Sequence, residues 1–304
     1  MSYFLQFLII CALTVLGCSK VTIQGSAGRR YLRNVTDRVL FNAQSFCVIA
    51  LVMLLLFPQG SIAPQGWLLV VGTAVATVLF QLCYVTALKE GPVSLTVLIV
   101  NFSILFITGF GVAVYGESIY LTQLIGIGFL VLSMVLSVKK EDGEKGVTLR
   151  WLGIAFLAMA MTSVGTILMK VYVKDWLALY PNSDNTFTAL VYVTAAVIGF
   201  LLSLLLTRTG KRQAPTNRFW HKGLLLHVLG IGTVLGIYQR FYIVGMAQLD
   251  SAFMFPTYAG MQSTGMTLIG VFFFRDRLST RQLLGIAAGI VCVVLMNLRV
   301  VELF

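Results

Sequence analysis

Charge is scarce in this chain, and acid is scarcer than base: 11% of its 304 residues are charged, and Asp and Glu together number 11. Histidine is nearly absent, with only His221 and His227, and no cluster of His, Cys and Asp accompanies them. The side chains from which a hydrolytic or metal-assisted centre is built are therefore missing, and no enzymatic activity is expected. The five cysteines, Cys11, Cys18, Cys47, Cys83 and Cys292, lack metal-ligand spacing and read as small core residues. No glycine-rich loop runs into Lys followed by Ser or Thr, since Lys20-Val21-Thr22 lacks the glycines. ATP-driven transport is thus not expected, nor is any cofactor or metal. A channel would show rings of polar residues repeated along its helices, and these are missing too.

Apolar sequence fills the space left. Hydrophobic residues make up 58% and mean hydropathy is +0.92, beyond what one soluble domain carries. Ten stretches are long enough to cross about 30 Å of hydrocarbon as helices. They are residues 3–24, 39–57, 67–88, 93–115, 119–138, 151–173, 186–207, 224–246, 253–274 and 281–299. The first has the length of a signal peptide, but it lacks a basic leader and its Lys20 has a counterpart later in the chain, so it is read as a span.

The net charge of +11 invites a nucleic-acid reading that its placement rejects. Of the 22 basic residues, 17 fall in the odd-numbered loops, only Lys174 and Arg299 fall on the other side, and Lys20, Lys170 and Arg240 lie within spans. Basic loops stay in the cytoplasm, so these loops are placed inside and both termini outside a cytoplasmic membrane. The expected partners are the lipid bilayer and a small-molecule substrate, not nucleic acid.

One phrase recurs about half the chain apart. Tyr115-Gly-Glu-Ser-Ile-Tyr-Leu-Thr-Gln-Leu-Ile-Gly126 returns as Phe274-Arg-Asp-Arg-Leu-Ser-Thr-Arg-Gln-Leu-Leu-Gly285, matching Glu117 to Asp276, Gln123 to Gln282 and Gly126 to Gly285 at an offset of 159. Gln81 and Tyr84 match Gln239 and Tyr242 at an offset of 158, Lys20 matches Lys170, and Asn42 matches Thr188. Five spans per copy is an odd number, so residues 143–304 must enter the membrane inverted relative to residues 1–142. Matching loops then carry opposite charge. Loop 25–38 has four arginines against one lysine in 174–185, and loop 58–66 has no basic residue against the strongly basic 208–223. The segment Gly116-Glu117-Ser118 has none, against three around Asp276. The expected fold is an all-α integral membrane protein of ten transmembrane helices in two inverted five-helix repeats, the architecture of secondary carriers with substrate near the midplane. One chain holds both halves, so a monomer suffices.

These residues resemble the EamA-type family of the drug/metabolite transporter superfamily. The resemblance rests on Ala87-Leu88, Gly91-Pro92-Val93-Ser94, Glu117, Gln123-Leu-Ile-Gly126, Asp276 and Gln282-Leu-Leu-Gly285, and covers essentially the whole chain. It implies a cavity lined by spans 1–4 and 6–9, with spans 5 and 10 peripheral. It leaves the substrate open, because relatives move amino acids, drugs, sugars and nucleotide derivatives. The outward termini depart from the many relatives that keep theirs inside.

Glu117 and Asp276 sit at helix junctions, where a carboxylate accepts bonds from the next helix's free N–H groups or takes a gating or proton-coupling part. Gly126 and Gly285 suit close helix contact. Gln81 and Tyr84 share a helix face, and a polar amide in hydrocarbon needs a partner, so Gln81, Gln239 and Tyr242 either glue helices or line a substrate cavity. Asn101, Ser103 and Gln262, nearer mid-span, carry the same two readings. Lys20 and Lys170 lie close to helix ends and either snorkel or face the cavity. Arg240 stands alone, since Leu82 occupies its repeat position. An inward guanidinium there would clamp a carboxylate or phosphate, against the plainer reading of an arginine reaching headgroups.

Three embedded residues are basic, and Asp37, Glu90, Glu117, Asp250 and Asp276 all fall at span ends or in loops. That balance favours an anionic or zwitterionic metabolite moved by alternating access, with Pro256 and Gly91-Pro92 as flex points. The alternatives are a cationic or neutral compound held by Tyr84, Tyr238, Tyr242 and Tyr258, or a lipid-precursor flippase.

Overall fold

The computed structural model describes residues 3–32, 34–90, 93–137, 148–208, 222–274 and 280–298. Every element among them is helical: α1 (Tyr3–Arg30), α2 (Val35–Leu56), α3 (Gly66–Glu90), α4 (Val93–Asn101), α5 (Ser103–Tyr115), α6 (Leu121–Ser137), α7 (Leu149–Trp176), α8 (Ser183–Arg208), α9 (Lys222–Gln248), α10 (Ser251–Phe274) and α11 (Thr280–Asn297). Among the described residues, seven stretches have the length and apolarity to cross a membrane: Phe4–Gln24, Val35–Leu56, Gly66–Ala87, Leu98–Tyr115, Leu149–Trp176, Ser183–Arg208 and Lys222–Gln248. Leu121–Leu136 and Leu283–Asn297 are shorter apolar helices. Large apolar side chains such as Leu55, Leu68, Leu124, Leu205 and Leu283 point outward, as a lipid-facing surface requires. The chain is a multi-pass membrane protein.

Residues 93–115, expected as one unbroken span, form two helices. Phe102 interrupts them, with its N–H bonded to Ile99 O at 3.1 Å and its own carbonyl bonded to Leu105 N at 3.1 Å. Those three-residue bonds tighten the chain into a 3₁₀-like turn, which hydropathy cannot see. Several helices also run past the predicted apolar limits. α8 begins at Ser183, three residues before the predicted 186, and so takes Asp184 into its first turn.

Helix starts follow local chemistry. Asp37, at the third position of α2, accepts the Asn34 backbone N–H at 3.1 Å, and Gln123, at the third position of α6, accepts that of Tyr120 at 3.2 Å. Each satisfies a donor that the helix leaves free. Gly116 ends α5 at φ 59, a left-handed conformation that residues with a side chain rarely adopt, while the Glu117 N–H reaches back to Gly111 O at 3.3 Å.

The chain divides into two compact units, and each draws on both sequence halves. Unit 1 holds Met1–Cys18, Thr86–Ser163 and Val244–Phe304; unit 2 holds Ser19–Val85 and Val164–Ile243. In unit 1, α6 packs on α11, and α10 on α5, α6 and α11. Gly126 makes the first contact possible: a Cβ there would sit 2.7 Å from the Met296 methyl carbon, and the Ser133 hydroxyl donates to Gly285 O at 2.7 Å. Trp151, fully buried, donates from its indole to Ala87 O and Thr96 Oγ1, both at 3.1 Å. In unit 2, α2 packs on α8, with Gly199 seated against Ala43. Ala27, Leu32, Phe41, Leu224, Val228 and Ile231 form a core cluster there.

Candidate functional site

Unit 2 contains a small open cleft lined by Val35, Arg38, Val39, Asn42 and Phe46 of α2, Val78, Gln81, Leu82 and Val85 of α3, and Gly199 of α8. The lining of α2 covers its first three turns and that of α3 its second half. Three polar side chains converge on otherwise apolar walls, the composition of a small-ligand site. Gln81, a predicted site residue, is one of them.

The deeper wall leads to a second predicted pair. Phe46 meets the ring of Tyr192 at 5.6 Å between centroids, and the Tyr192 hydroxyl accepts the side-chain amide of Gln239. The Gln239 carbonyl Oε1 is buried with no partner among the described residues. Tyr242, one turn on, hydrogen-bonds Thr166 and stacks on Tyr238 at 5.5 Å, as Tyr84 stacks on Phe80 at 5.4 Å. Those two stacks occupy matching positions of the repeat, so they are duplicated scaffold as much as site.

Arg240 is held by an acid. Its Nη1 donates to Asp184 Oδ2 at 2.6 Å and to Asn185 Oδ1 at 3.0 Å, and the guanidinium lies 5.9 Å from the centre of the Phe57 ring. The Asp184 side chain is 5% exposed and that of Arg240 is 28% exposed. Both Nη1 hydrogens are thereby used. No described residue takes those of Nη2 and Nε, which form the fork that grips a carboxylate side-on. The same corner is tied to the α2–α3 loop, where Asn185 donates to Pro58 O at 2.8 Å and Thr186 Oγ1 donates to Gly60 O at 2.8 Å.

The remaining expected site residues scatter. Lys170 is fully buried and Lys20 half-buried, both in unit 2, so Lys170 does not reach outward to headgroups. Asn101, the last residue of α4, and Gln262, whose carbonyl faces the Cys18 thiol at 4.0 Å, belong to unit 1. Pro256 is buried inside α10. Asp276 and Gly91-Pro92 lie outside the described residues, as do the side chains of Gln282 and Ser94. Glu117 is buried and caps a helix, but α10 of the other half and not the α6 that follows it: its Oε2 accepts the Ser251 backbone N–H at 2.7 Å.

Sequence reading missed Asp184, Asn185 and Tyr192. Asp184 was hidden because it precedes the apolar run of α8. The repeat held the signal: at the offset of 146 that pairs Asn42 with Thr188, Asp184 falls on Arg38.

Unit 2 thus joins membrane-spanning helices to a small polar-lined cleft, and the sequence says which kind of membrane protein it belongs with. The sequence signature of the EamA-like transporter family matches residues 7–139. A solved structure described only as the crystal structure of a protein shares the fold with a TM-score of 0.76, at 16% identity over 97% of each chain. None of the curated proteins matches the chain. Residues 7–139 are thus similar to the EamA-like transporters, and the likeness to the solved structure is one of fold.

Proposed function

We propose that the chain is a secondary carrier of the cytoplasmic membrane that moves a small anionic or zwitterionic metabolite by alternating access. Its two halves, 1–142 and 143–304, are inverted copies. Support comes from the pairing of repeat-matched helices, α2 with α8 and α6 with α11, as a two-fold axis in the membrane plane would produce. The odd loops face the cytoplasm, and the termini the other side.

One observation carries the reading: unit 2 is cleft at one end and stitched at the other. The cleft lies among the α2 and α3 residues nearest the basic loop at 25–38. The Asp184–Arg240 pair and the bonds from Asn185 and Thr186 join α8, α9 and loop 58–60 at the opposite end. A carrier that exposes its site to one side at a time needs such a seal, and Arg240 within it keeps a spare fork for an anion. The aromatic alternative has less support, because the rings of Tyr238 and Tyr242 stack at 22° and form no cage.

The test is counterflow in proteoliposomes, with the variant that removes both charges. Arg240→Ala with Asp184→Ala keeps the fold and is expected to lose at least tenfold in anion exchange. Exchange at the wild-type rate would remove Arg240 from the substrate path.

A further inference from the structure

The repeat places two opposite solutions at matching points of unit 2. In the second half, Asp184 and Arg240 satisfy each other. The matching residues of the first half are Arg38 and Leu82. Both line the cleft, and among the described residues no carboxylate pairs with Arg38. Among the described residues, the first half thus holds the cation of a charge pair without its acid, in the lining of a cavity.

We propose that this cleft is a binding site for a small organic monocarboxylate with a short apolar tail, a reading that rests on the carrier function above. Arg38 supplies one guanidinium, enough for one carboxylate in bidentate fashion and too little for a dianion. Asn42 and Gln81 add amide donors for the carboxylate or for a neighbouring hydroxyl. Among the described residues no acid lines the cleft to receive an ammonium, so the amino group of a zwitterion finds no partner in that lining. Phe46, Val78 and Leu82 offer apolar wall, which rewards each methylene withdrawn from water. An acidic lipid headgroup presents the same chemistry as a soluble acid, so the test separates the two.

The experiment uses the full chain in phosphatidylcholine nanodiscs, titrated with butyrate, hexanoate and hexanamide. Hexanoate is expected to bind and to raise the melting temperature, and hexanamide to do neither. Affinity should rise about fourfold per methylene between butyrate and hexanoate. Arg38→Gln should lower hexanoate affinity at least tenfold. Leu82→Trp, which fills the apolar wall and leaves the cation, should weaken hexanoate and spare butyrate. Equal binding of hexanamide, or of hexanoate by Arg38→Gln, overturns the proposal. So does loss of hexanoate binding when phosphatidylglycerol is added to the discs, which would assign the site to lipid. Counterflow separates this site from the carrier reading: binding without exchange sinks the carrier and keeps the site, while butyrate exchange that survives Arg38→Gln sinks the site and keeps the carrier.

Discussion

At Arg240 a charge that hydropathy marks as a lone cation turns out to hold Asp184 in place. The consequence for mutagenesis is asymmetric. Removing the guanidinium leaves the Asp184 carboxylate buried without its partner, and losing one member of a buried pair costs about 3–5 kcal/mol. Part of Arg240 is exposed, so a loss of about 2–3 kcal/mol is expected for Arg240→Ala, with the double variant Arg240→Ala/Asp184→Ala recovering most of it. Thermal unfolding of the three proteins in detergent checks this. A double variant as unstable as the single one would show that packing, not charge, holds this corner. Lys170 makes a similar point, since a fully buried ammonium is invisible to a reading that counts only distance from a helix end.

Among the elements, α6 and α11 were the most legible, because their shared Gln-Leu-x-Gly phrase is a statement about helix starts and helix contact. Gln123 closes the first turn of α6, and Gly126 lets α11 approach. Gly126→Leu is accordingly expected to separate α6 from α11, lowering the melting temperature and the yield of folded protein. A variant with wild-type thermal stability would mean that the close approach matters little. Three features escaped the sequence for physical reasons. The break at Phe102 depends on a single tightened turn within an unbroken apolar run. The true start of α8 lies in polar residues that a hydropathy window discards. Glu117 was identified as a capping carboxylate, but its target depends on which helices meet, and no local pattern encodes that.

For the whole molecule, composition yielded the membrane character and the motifs around Gly91-Pro92, Glu117 and Gln123 carried the family resemblance, while the location of the cleft required packing between α2, α3 and α8. Orientation rests on the basic loops and is open to direct measurement. In a cysteine-free background, Gln59→Cys is expected to react with an impermeant maleimide added to intact cells, and Lys222→Cys only after permeabilisation. The reverse pattern would invert the topology and place the cleft on the outer face.

The bond from Glu117 to Ser251 also has a consequence in time. Its partners lie 134 residues apart, so the acid is synthesised long before the amide it caps. The cap on the start of α10 therefore draws on a side chain already in place, and closing it joins the two sequence halves of unit 1 late in assembly.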